Sequence, residues 1–165
     1  MQALLEDALL SSRTGKRGVR TVTEEPTMDI RRSGSVPSQR PPSQYFTGSV
    51  WQDPVFEAQA PARVWSVIVR FDPGARTNWH THPLGQTLHI LAGCGLIQKD
   101  GEPIQPLHAG DSIWIAPGEK HWHGAAPNTG MTHIAIHEAL DGSSANWLEP
   151  VSDEQYAALT PQGAP

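Results

Sequence analysis

All eight histidines of this 165-residue chain lie between His80 and His137, and six of them form pairs able to share one face of a strand. His80 and His82 are two residues apart, as are His121 and His123, and His133 and His137 flank Ala135. Side chains alternate between the faces of a strand, so positions i and i+2 project together. On a helix the same two positions would diverge by about 200°. The spacing therefore asks for strands. Buried imidazoles are donors and acceptors that need partners. Three pairs on separate segments point to one shared partner, a metal ion.

The surrounding pattern fits strands as well. Gly and Pro number 15 each, which suits a chain with many tight turns better than a helical bundle. "QYFTGSVW" reads as an opening strand and "ARVWSVIVRF" (Ala62–Phe71) as the clearest one, stopped by "DPGA". "TNWHTH" and "QTLHIL" flank the break "PLG"; "GLIQKDGEPIQPL" reads as a hairpin around Asp100 and Gly101. "DSIWI", "HWHGAA" and "MTHIAIHEAL" follow, each after a turn signal. Ser152 followed by two acids predicts a short closing helix. Short strands at this spacing predict an all-β sandwich or barrel, with the jelly roll as the leading form. The expected organisation is a flexible extension over residues 1–44, a barrel over 45–150, and a helix and tail over 151–165. The extension is rich in Ser, Thr, Arg and Pro and poor in large apolar residues. A short helix over Gln2–Leu10 is expected within it, and Met28 reads like a second start.

Charge and composition exclude several function classes. Residues 43–165 carry five Lys/Arg against twelve Asp/Glu, so the expected barrel is acidic and has no basic nucleic-acid face. No apolar run approaches the roughly 18 residues that a membrane helix needs. Cys94 is alone, which rules out an internal disulfide and fits a reducing compartment. "MQALLEDALL" has acids where a secretory signal carries positive charge, so a cytoplasmic protein is expected.

Two ordered motifs sharpen the reading. Gly74-x5-His80-x-His82-x3-Gln86-x6-Gly93 resembles the first motif of the cupin superfamily, with Gln86 at the position that usually holds Glu. Gly110-Asp111-x4-Ala116-Pro117-Gly118-x2-His121 resembles the second, with Ala116 and Ala125 where Pro and Asn are common. "WHTHPLGQT", "PGEKHWHGA", "MTHIAI" and "SDEQY" are similar to the small bacterial cupins that include manganese-dependent (R)-hydroxynitrile lyases, a group that shares the Gln. The resemblance implies a cupin-type jelly-roll barrel with His80, His82, Gln86 and His121 as metal ligands. It places His123, His133 and His137 around a substrate cavity, and His137 stands where those lyases are expected to carry Gln.

Three neutral imidazoles and one amide leave the charge of a divalent cation uncancelled, which strengthens it as a Lewis acid. Mixed N/O donors with open positions suit Mn or Fe(II), with Ni, Co and Zn also admitted. His123 and His133 are the candidate catalytic bases, since an imidazole of pKa near 6.5 exchanges protons at neutral pH. The alternative for His123 is that it only orients His121 or a water. Val67 and Val69 share a face and are expected either to narrow the cavity or to join the core. Trp79, Trp114 and Trp122 are expected to cover the barrel or an oligomer contact, and Cys94 to be a small buried hydrophobe. His89 is expected to face outward, His108 to be structural and Asp111 to organise its turn. Three functions stay open: a metal-dependent lyase on a small hydroxy or oxo substrate, a cupin dioxygenase using Fe or Mn with O2, and a non-catalytic ligand-binding barrel. A homodimer or homotetramer is expected on fold analogy.

Overall fold

The computed structural model describes residues 28–158. The helix expected over Gln2–Leu10 and the tail beyond Ala158 lie outside that range. The chain divides into two units, Met1–Ile30 and Arg31–Pro165, and every strand belongs to the second. A 3-10 turn at Ser43–Tyr45 leads into β1 (Phe46–Thr47), β2 (Val50–Glu57), β3 (Val64–Phe71), β4 (Arg76–Thr77) and β5 (His80–Thr81). The 14-residue β6 (Gln86–Lys99) is followed by β7 (Gln105–His108), β8 (Ser112–Ile115), β9 (His121–Ala125), β10 (Met131–Glu138), β11 (Asn146–Trp147) and helix α1 (Asp153–Ala157). All pairings are antiparallel, in the order β1-β4-β9-β6-β10-β3-β2. The sheet curls into a half-barrel.

β6 causes the curl. Its first half pairs with β10 and β8, and its second half with β9 and β7. "QTLHIL" and the first arm of the "GLIQKDGEPIQPL" hairpin, separate segments in the sequence pattern, form one strand. Gly93 takes φ 78°, open to glycine at no steric cost, and a side chain there would collide with the Gly130 carbonyl oxygen. The bend keeps its hydrogen bonds: Cys94 N–H donates to Gly130 at 3.2 Å, and Ala126 N–H donates to Cys94 at 3.0 Å. The opening segment shows the opposite difference. Gly48, at φ 82°, splits "QYFTGSVW" into β1 on β4 and β2 on β3. Pro54 sits in β2 without breaking the sheet because β2 is an edge strand. Residues just before the first strand already touch the sheet: Gln39 pairs with Gln52, and Arg40 lies 3.9 Å from the centre of the Trp51 ring.

The inner face of the curl carries an apolar cluster. Val67, Val69 and Phe71 on β3, Leu88 and Ile90 on β6, and Met131 and Ala135 on β10 are all buried in one cluster. Each large apolar side chain so buried contributes about 1.5–3 kcal/mol. β9 is buried on both faces. His121, His123 and Ala125 face inward, while Trp122 packs with Trp79, Leu96 and Val151 beneath Tyr156 of α1. The helix is held by the Ser152–Gln155 capping box and by Tyr156 O–H donating to Ala125 at 2.7 Å. Arg76, itself buried, donates to the Val151 carbonyl and to Asp153 at 2.6 Å. Covering β9 in this way shields its inward histidines from water.

Candidate metal centre

Three histidines are brought together by register. His80 on β5 is the cross-strand partner of His121 on β9, and their ring centres are 4.2 Å apart. His82 follows two residues after His80 with its ring centre 5.1 Å away. One nitrogen from each of the three rings lies within 4.8 Å of the others. Among the described residues, this is the group of that kind.

The backbone decides which nitrogen each ring offers. Nδ1 of His80 donates to Asn78 at 2.9 Å, Nδ1 of His82 to Ser144 at 2.6 Å, and Nδ1 of His121 to Glu119 at 2.9 Å. A carbonyl oxygen only accepts, so each Nδ1 carries the hydrogen and each Nε2 keeps a lone pair. The Nε2 atoms of His82 and His121 are buried with no hydrogen-bond partner, and so is Oε1 of Gln86. Orphaned buried acceptors of this kind are costly unless something electropositive sits among them. A divalent cation held by His80, His82 and His121 would satisfy their lone pairs, so the three-histidine cluster fits a metal.

Burial also holds these rings neutral. The His121 pKa is lowered to about 4 by desolvation, and that of His80 falls well below 6.5 through burial and the neighbouring His121 and His82. His82 is lowered as well, chiefly by burial. A neutral imidazole is the form that ligates metal.

Gln86, first residue of β6, is the cross-strand partner of His137 on β10, and its amide nitrogen is 3.2 Å from His137 Nδ1. His137 is lowered to about 3 by burial and by His82, and its Nε2 is unpartnered. Beyond His80 lie His123, with ring centre 5.5 Å from it, and His133, 4.9 Å from His123. Neither ring nitrogen of His133 and not Nδ1 of His123 has a hydrogen-bond partner. Their pKa values fall with burial, His133 to about 4 and His123 well below its ordinary 6.5, where the neighbouring His133 adds to the effect. Both are thus neutral at pH 7 and weaker bases than the ordinary 6.5 used in the sequence reading.

A cavity of about 200 Å³ opens on this cluster. Val67 and Val69 line it and also belong to the core cluster. Other lining residues were not picked out from sequence. Trp65 and Phe71 had a usable signal, since they share the i+2 parity of Val67 and Val69. Trp147 had none: it sits on a two-residue strand after a loop, and its ring stacks on His80 at 4.7 Å. Tyr45 stacks on Trp147 at 4.7 Å. Away from the cavity, His89 bonds Ser112 at 2.8 Å, and Asp111 accepts from the His108 amide at 2.7 Å, organising that turn as expected. Cys94, expected to be buried, is only half-buried, with its sulfur 3.8 Å from His108.

A curled antiparallel jelly roll with imidazoles gathered inside it is the architecture of a cupin, and the chain belongs to the cupin family. Residues 67–137 match the Cupin domain. Over 129 residues the chain is 57% identical to the (R)-mandelonitrile lyase of Granulicella tundricola, covering 78% of this chain and 98% of that one. It is 31% identical over 85 residues to an acireductone dioxygenase of Picosynechococcus sp., covering 49% of this chain and 48% of that one. Among solved structures, a cupin-like protein from Thermotoga maritima superposes with a TM-score of 0.71 at 38% identity, covering 82% of this chain and all (100%) of that one.

Proposed function

We propose that this chain is a metal-dependent lyase that cleaves or forms small cyanohydrins, with an aromatic hydroxynitrile as the substrate class. The observation that carries the reading is the set of Nε2 and Oε1 lone pairs left without partners beside a cavity that His80, His82, Gln86, His123 and His133 line. Identity to a named mandelonitrile lyase over nearly all of that protein's length supports it. His80, His82, Gln86 and His121 would hold a divalent cation, Mn first, with Fe, Ni, Co or Zn admitted by the same donors. When bound, the cation supplies Lewis acidity.

The chain's own residues do the rest. An engineered cavity of about 150 Å³ takes up benzene, so about 200 Å³ suits one aromatic ring and a few further atoms. Trp65, Phe71 and Trp147 present ring faces and edges to it, and Val67 and Val69 restrict its width. His123 or His133 accepts the hydroxyl proton; the electron pair of that O–H bond forms the carbonyl as the C–C bond breaks. The C–C pair leaves with cyanide, which takes the proton back from the imidazolium and departs as HCN. The low pKa of both rings favours return of that proton. A free, half-buried Cys94 agrees with a cytoplasmic setting.

Anaerobic incubation of metal-loaded protein with racemic mandelonitrile tests the reading. Enantioselective release of benzaldehyde and cyanide is expected, abolished by chelator and restored by Mn. His80→Ala and Gln86→Ala are expected to lose stoichiometric metal on elemental analysis. Turnover that consumes O2 would instead favour the dioxygenase reading, and ligand binding without turnover a sensor.

A further inference from the structure

The Gln86–His137 pair has a chemical consequence that neither residue has alone. A carboxamide is nearly symmetric in shape, so packing by itself does not decide whether its oxygen or its NH2 group faces a given neighbour. A ligand-forming Gln needs its oxygen toward the cation, since an NH2 group there would be repelled and would offer no lone pair. The partner on the other side makes the choice. His137 is the register partner of Gln86, so its ring is delivered to the carboxamide by the β6–β10 ladder. The ring is further fixed by an edge-on contact with Trp65, centres 4.0 Å apart at 84°.

We propose that His137 is a positioning residue: Nδ1 accepts the Gln86 N–H at 3.2 Å and so turns the buried, otherwise unpartnered Oε1 of Gln86 toward the histidine cluster. The same bond sets the tautomer of His137, because a ring whose Nδ1 accepts carries its hydrogen on Nε2. That Nε2 is buried without a partner, and His137 lines the cavity, so the ring offers a donor to a ligand atom there. One residue thus orients the amide ligand and presents an N–H to the substrate space. The inference rests on the metal-binding reading above.

The test separates orientation from packing. His137→Phe keeps an aromatic ring but cannot accept the amide, whereas His137→Gln restores an acceptor oxygen. Residues that orient metal ligands typically change affinity by about 10–100-fold. Mn(II) affinity, measured by chelator competition, is expected to fall at least about tenfold in H137F and to stay within about threefold of the parent in H137Q. In a Gln86→Glu background the two ligand atoms are equivalent oxygens, so adding H137F should cost little further affinity. The Mn(II) EPR line shape should change in H137F alone and match its background in Q86E/H137F. If H137F does not fold, H137Q and the His137→Leu change placed on Q86E carry the same comparison. Unchanged affinity in H137F, or an equal loss in the Q86E background, overturns the proposal while leaving the metal site intact. A parent protein that takes up no metal overturns both.

Discussion

His133 is fully buried, stacks on Phe71 with ring centres 5.6 Å apart, and has no hydrogen-bond partner at either nitrogen. Burial lowers its pKa to about 4, with the Ile134 backbone offsetting part of the penalty. In the unfolded chain the same ring titrates near 6.5, so between those values the unfolded state holds the extra proton. The stabilisation is complete above pH 6.5 and is lost as pH falls toward 4, amounting to about 3 kcal/mol from this one group. His133→Phe keeps a ring against Phe71 and removes the titration. Metal-free H133F is therefore expected to show a shallower fall of Tm from pH 7 to pH 4.5 (roughly the window set by the two pKa values) than the parent. Parallel slopes would show that the ring is not held neutral by the fold. Such an imidazole could be placed on a face from sequence by its spacing to His137, but its pKa could not, because part of its burial comes from Val69 and Phe71 on β3, far back in the chain.

At the level of elements, the histidine pairs were legible because strand parity is local. His121 with His123, and His133 with His137, sit on β9 and β10 with the alternation that their spacing demands. His82 is different. It lies just past β5, and its ring is aimed by the Ser144 carbonyl, a contact 62 positions along the chain that no local pattern encodes. The continuous β6 was also hidden, since "AGCG" reads as a break when glycine is taken as punctuation. Here glycine permits a bend inside one strand. Gly93→Ala meets two penalties, a φ of 78° that an L side chain adopts at about 1–2 kcal/mol and a collision with the Gly130 carbonyl. Chemical denaturation is expected to show a loss of more than about 2 kcal/mol. Because Gln86 and the partners of β9 hang on opposite halves of β6, the variant should also weaken Mn(II) binding. A G93A protein with parental stability would mean that the curl is not set at this residue.

Over the whole molecule, the two ordered motifs carried the fold into view, while the aromatic lining came from segments with no motif, Tyr45 and Trp147 above all. No helix among the described residues is long and apolar enough to cross a membrane. The outer face of the sheet, by contrast, carries a row that includes Trp114, one of the tryptophans expected from sequence to cover the barrel or an oligomer contact. Trp114 on β8 and Ile136 on β10 both register with Thr87 on β6, so the three lie side by side across neighbouring strands, opposite in direction to Gln86 and His137. Trp114 is 64% exposed and Ile136 37%, and Leu91 on the same face of β6 is 45% exposed. Exposed apolar side chains gathered on one sheet face can form a contact surface, and the expected homodimer or homotetramer would bury this patch face to face. A symmetric contact places Trp114 against its own copy's patch, so a single charge there enters twice. Trp114→Glu is therefore expected to sediment as a monomer where the parent sediments as a dimer or tetramer, with metal content unchanged, because the substitution points away from the cavity. A parent that is monomeric at every concentration, or a W114E protein that still assembles, would assign this patch no role in association.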